Sequence, residues 1–104
     1  MKAIELYTKA ISLSEVASYY ANRALCYMSL EKYSKCVEDC NKCLSIDPNF
    51  MKALRRRAKC LIFQDSFDDA IRDYNRCILS DPKDLSLKQE LTDCQTVFYF
   101  FYLD

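Results

Sequence analysis

Five cations crowd residues 51–60: Lys52, Arg55, Arg56, Arg57 and Lys59, with no acid among them. Such a stretch suits anion capture. A guanidinium offers a planar fork that matches a carboxylate, and an ammonium adds a point charge. Lys52 and Arg56 stand four apart, so on a helix they share a face. Arg55 and Lys59 form a second pair with the same spacing. The formal net charge of the chain is +0, so the positive block is a local feature. Asn22, an uncharged hydrogen-bonding amide, stands thirty-four residues before Arg56. Arg57 is expected to pack its stem and send its head to solvent.

Other spacings point to other chemistry and carry less. Cys36, Cys40 and Cys43 have the x3, x2 spacing of an iron–sulfur ligand set. On a helix they fall at i, i+4 and i+7, one face, where a buried thiol behaves as a small hydrophobe. The acids Asp65, Asp68, Asp69 and Asp73 read as a solvated face paired locally with Arg72 and Arg76. There is no His, which removes the usual triads and most metal catalysis. The residues call for no enzyme activity, cofactor or metal. Charge balance, with the basic block confined to one helix, argues against nucleic acid as a partner. No apolar run approaches the ~20 residues that span a bilayer, so no membrane is expected.

These side chains need a scaffold, and the composition names its class. With 104 residues, 51% hydrophobic and 29% charged, the chain is expected to form one globular domain. It has no glycine and only two prolines. A β-rich fold of this size needs turns with positive φ, which Gly usually supplies. Apolar spacings of three and four predict helices over residues 2–12, 18–30, 33–45, 51–63 and 67–79. Asp47-Pro48 and Asp81-Pro82 stop the third and fifth, because Pro cannot continue a helix. A last helix begins near Asp84, carries Leu85, Leu87, Leu91, Cys94, Val97 and Phe98, and does not match the pattern before it. The aromatic ending, residues 98–103, has no role fixed by the sequence. Seven cysteines and no opening signal peptide read as reduced thiols of a cytoplasmic or nuclear protein.

The helices repeat. At an offset of thirty-four, Asn22 meets Arg56, Ala24 meets Ala58, Cys26 meets Cys60, Tyr33 meets Phe67, Cys36 meets Ala70, Asp39 meets Asp73, Cys43 meets Cys77 and Pro48 meets Pro82. This period, with its small–aromatic–small–Pro order, resembles the tetratricopeptide repeat family. The resemblance implies an all-α fold of antiparallel helix-turn-helix repeats stacked in a right-handed superhelix. Residues 1–14 would be the second helix of a truncated repeat, 17–50 and 51–83 two repeats, and 84–104 a capping helix and aromatic tail. The apolar face of Ala3, Ile4, Tyr7 and Ile11 would then be partly uncovered, and self-association through it is expected.

A narrower resemblance rests on Tyr19-Tyr20-Ala21-Asn22-Arg23-Ala24 and on Lys52-Ala53-Leu54-Arg55-Arg56-Arg57-Ala58. These are similar to the carboxylate-clamp repeats of co-chaperones, which hold the acidic C-terminal tails of cytosolic heat-shock chaperones. That resemblance implies peptide binding by Asn22, Lys52 and Arg56, with Arg55 and Lys59 widening the positive groove. The clamp's other two residues, a Lys and an Asn, would belong to a helix before Met1. Two alternatives stand beside it. One is a plain repeat scaffold for another helix or extended segment. The other is the regulatory repeat region of a type-five serine/threonine phosphatase, which residues 3–11 and 70–74 resemble.

Overall fold

The computed structural model describes residues 2–102; Met1, Leu103 and Asp104, and with them the end of the aromatic tail, lie outside the described residues. Six helices follow one another: α1 (Lys2–Leu13), α2 (Ala17–Ser29), α3 (Tyr33–Ile46), α4 (Met51–Phe63), α5 (Phe67–Ser80) and α6 (Leu85–Tyr102). Among the described residues there is no strand. Each helix packs on the next, and α2 also packs on α4. That is the contact pattern of stacked helical hairpins, and it gives an elongated body of 48 × 26 × 20 Å.

Two clusters form the core. The first joins Tyr20, Ala21 and Ala24 of α2 to Cys36, Cys40 and Cys43 of α3 and to Ala53 and Cys60 of α4. The second joins Leu54, Ala58 and Leu61 of α4 to Phe67, Ala70, Tyr74 and Cys77 of α5 and to Leu87 and Cys94 of α6. Val37 and Leu44 pack against both. Ala21, Ala24, Ala53, Ala58 and Ala70 are fully buried, and their small size lets neighbouring helix axes approach closely. Cys36, Cys40 and Cys43 fill the same kind of site, as their helical spacing requires. α1 contributes no fully buried residue; its Ala3, Ile4, Tyr7 and Ile11 are half-covered and Leu6 is exposed.

The turns inside the two repeats have one shape. Glu31 and Asp65 both have φ of 59°, in the left-handed region. Lys32 donates its backbone N–H to Tyr27 and Glu31 to Met28; Ser66 donates to Leu61 and Asp65 to Ile62. This is the Schellman helix ending, usually built on Gly. A chain without glycine still makes the turn, at a conformational cost borne by an exposed acid. Beside it an aromatic fills the gap. Tyr33 stacks on Phe63 with ring centroids 4.3 Å apart. Phe67, thirty-four residues later, meets Phe98 at 6.3 Å, Phe101 at 6.1 Å and Tyr102 at 6.2 Å. The aromatic ending thus continues α6 and touches the second plug, while Tyr99, Phe100, Phe101 and Tyr102 all remain largely exposed.

Two expectations are corrected by a repeated ion pair. Arg57 does not send its head to solvent. Its Nε and Nη2 donate to the two oxygens of Asp73 at 2.8 Å each, and Nη1 donates to Asn41 at 2.9 Å. Asp73 is therefore buried and paired with α4, not part of a solvated acidic face. Arg23 does the same to Asp39, at 2.8 and 2.7 Å, and reaches Thr8 of α1 at 3.1 Å. The reason is angular. At ~100° per residue, Arg57 falls between the Ala53–Cys60 stripe and the Leu54–Leu61 stripe, both buried, so its head meets protein before water. Of the other local pairs expected, Arg72 does meet Asp69, at 3.2 Å. Arg76 instead donates to the carbonyl of Pro48 and to Asn49.

Two stability results follow. Glu31→Gly and Asp65→Gly should each raise the unfolding free energy by about 1 kcal/mol in a denaturant titration, because Gly takes the left-handed turn without penalty. Arg57→Ala should cost about 2–4 kcal/mol by leaving the Asp73 carboxylate buried and unpaired. Arg57→Ala combined with Asp73→Asn should recover part of that loss in the same denaturant titration.

Candidate functional site

The free face of α4 decides what the basic block does. Its two core stripes, with Arg57 between them, span a little under half of the helix circumference, about 160°. Lys52, Arg55, Arg56 and Lys59 share the arc that is left. Helices α2 and α6 flank that arc at the repeat offset. Ser18, Lys52 and Ser86 form one row of equivalent positions, and Asn22, Arg56 and Glu90 form the next.

Arg56 is half-buried and donates from Nη1 to the backbone carbonyl of Ala21 at 2.8 Å. That bond sets its guanidinium against α2, one residue from Asn22, which is half-buried. Lys52 is exposed one turn earlier on the same face and has no ion-pair partner among the described residues. Lys52 and Arg56 thus share one face of α4, and Arg56 reaches α2 at the residue before Asn22.

Arg55 and Lys59 have a different status. Arg55 donates from Nε and Nη2 to both oxygens of Glu90 at 3.0 Å each. It also reaches Ser86 at 2.9 Å and Asp84 at 3.4 Å. The Glu90 contact comes first among the causes that hold the Arg55 pKa above its ordinary value. Lys59 lies 3.3 Å from Glu90. Both cations are therefore engaged by α6. Asp84 caps that helix, accepting from the backbone of Ser86 and Leu87. Donation by the Ser86 hydroxyl, then these backbone bonds, lowers its carboxyl pKa. Sequence reasoning did not single out Glu90, because α6 was set outside the repeat. Extending the thirty-four-residue register past Arg56 would have found it, as it would have placed Cys94 in line with Cys26 and Cys60.

A cavity of about 400 Å³ adjoins Lys52 and Arg55. Apolar Met51, Cys77 and Leu87, the hydroxyl residue Ser80 and the acids Asp81 and Asp84 complete its lining. The seven cysteines carry free thiols, six of them buried and Cys26 half-buried. The thiol bond with Cys40, together with burial, pushes the Cys36 pKa up to about 12, and burial pushes Cys77 to about 11. Among the described residues, no group of three or more His, Cys, Asp or Glu is placed to hold a metal ion. No helix of the described residues is long and apolar enough to cross a membrane.

A stack of two thirty-four-residue helical hairpins with a closing helix defines a repeat-type binding scaffold, and comparison with known proteins agrees. The sequence pattern described as the tetratricopeptide repeat matches residues 17–50. The chain is similar to the heat shock protein STI1 of Saccharomyces cerevisiae, 47% identical over 57 residues. That match covers 53% of this chain and 10% of STI1, so the chain spans about a tenth of that relative's length. The structure of the second repeat domain of Spaghetti (RPAP3) bound to the HSP90 peptide SRMEEVD is 32% identical, with a TM-score of 0.74. The likeness covers 75% of this chain and 73% of that one. The first repeat domain of the same protein, bound to the same peptide, superposes with a TM-score of 0.88 at 25% identity. It covers 91% of this chain and 76% of that one. The chain belongs to the tetratricopeptide repeat family.

The buried thiols give a measurable result. Under native conditions an alkylating reagent should modify Cys26 first and the other six only on unfolding. A thiol whose folded pKa is raised favours the native state below the unfolded value of 9.0. That contribution is lost as pH climbs from there toward about 12. A plot of stability against pH should hold level to about 8.5 and then fall.

Proposed function

We propose that this chain is a peptide-binding module that holds the acidic C-terminal segment of heat-shock chaperones, in the manner of a co-chaperone adaptor. One observation carries the reading. Lys52 and Arg56 share the free face of α4, and the Arg56 bond to Ala21 holds its guanidinium against α2, the helix that carries Asn22. A chain-terminal carboxylate in that groove accepts from Lys52 and from the Asn22 amide. An acidic side chain upstream accepts from the remaining N–H groups of Arg56. The relatives support it, since the Spaghetti structures hold an HSP90 peptide and STI1 is a heat shock protein. Arg55 and Lys59 act mainly through their field, because Glu90 already accepts the Arg55 hydrogen bonds and pairs with Lys59. The module needs no chemistry of its own. Its seven free thiols suit a compartment that keeps cysteine reduced, such as the cytoplasm.

Calorimetric titration tests this directly. The free-acid peptide SRMEEVD should bind and its C-terminal amide should bind markedly less. Lys52→Ala and Arg56→Ala should each weaken the free acid by about tenfold to a hundredfold, the span of one charged hydrogen bond. The loss of affinity with added salt should be shallower in both variants. Equal affinity for acid and amide would sink the reading.

A further inference from the structure

The third rung of the groove already holds a carboxylate. Glu90 stands thirty-four residues after Arg56 and sixty-eight after Asn22. Its two oxygens are each 3.0 Å from the Arg55 fork, and Lys59 closes the site at 3.3 Å. This is the geometry by which an arginine and a lysine would seize an acidic side chain of a bound peptide. The cluster is not sealed in the core: the Glu90 side chain is 24% exposed, Arg55 29% and Lys59 41%. Beside it lies the cavity lined by Met51, Cys77 and Leu87.

We infer that Glu90 is a specificity-determining residue: it occupies the upstream anion site of the groove and so restricts ligands to those whose acids lie within reach of Lys52 and Arg56. The inference rests on the carboxylate-binding reading above. A peptide whose acids end at that reach leaves the Glu90 cluster intact and sets a neutral or apolar residue over the neighbouring cavity. A peptide with one more upstream acid must either displace Glu90 from Arg55 and Lys59 or hold two carboxylates close together. Both are unfavourable, so an internal anion acts here against the wrong ligand.

Selectivity is the readout, because a role confined to fastening α6 would not move it. Two free-acid peptides are titrated into the whole chain: SRMEEVD and its analogue with Glu in place of Met. Wild-type protein should favour the Met peptide by about threefold or more, the size of a partly exposed charge effect. Glu90→Gln should shift that ratio toward the Glu peptide by about threefold or more, and Arg55→Met added to Glu90→Gln should reduce the shift to what Lys59 alone supplies. Arg55→Met alone, with Glu90 retained, should move the ratio the opposite way, which keeps the test open if Glu90→Gln does not fold. Binding of both peptides with a ratio that neither Glu90→Gln nor Arg55→Met changes would overturn the role of Glu90 alone. Absence of binding to either peptide by wild type and variants alike would overturn the carboxylate-binding reading, and this inference with it.

Discussion

Helix α4 joins the two cores of this molecule. It is the one helix that supplies buried residues to both cores, Ala53 and Cys60 to one and Leu54, Ala58 and Leu61 to the other. A helix buried on two adjacent stripes gives up almost half of its circumference to the core, and the small Ala53 and Ala58 let its neighbours approach closely. The constraint does more than hold the fold. By fixing the rotation of α4 about its axis, it fixes which of the five cations reach solvent, which reach a neighbouring helix and which are trapped between.

The five then divide by position. Arg57, between the buried stripes, is held bidentate by Asp73 and links α4 to α5 and, through Asn41, to α3. Arg23 repeats the arrangement with Asp39 and Thr8, so each hairpin is fastened to the helix before it by the same device. Such pairs contribute less to net stability than their distances suggest, since two charges had to be desolvated. They do penalise any register in which the arginine lacks its acid. Arg55 and Lys59, on the side nearer α6, are taken up by Glu90. Lys52 and Arg56 remain, one exposed and one half-buried against α2. A block of positive charge in the sequence is thus two residues of available cation in the groove.

Much of this was legible in the order of residues. The six helices, the Asp-Pro stops and the thirty-four-residue period follow from apolar spacing, from proline's missing N–H and from plain self-similarity. The same register lined Asn22 up with Arg56, because equivalent positions on stacked hairpins lie side by side, and the Arg56 bond to Ala21 joins the two helices next to that position. The fate of Arg57 and Asp73 was not legible one residue at a time. The signal was present, since Arg23 and Asp39 stand at the same separation one repeat earlier, but a cation in a run of cations reads as solvated until burial shows otherwise.

The sequence by itself determined the class of fold, the period of the stack and the row of residues that faces the groove, because these depend on local periodicity and composition. Tertiary structure alone decided how charge is shared among those residues. Whether Arg55 and Lys59 are available, whether Arg56 reaches the Ala21 carbonyl of α2, and whether Asp73 is wet or dry depend on distances of about 3 Å between helices. Hydrogen bonds and ion pairs weaken steeply beyond such distances, and only the packed fold sets them.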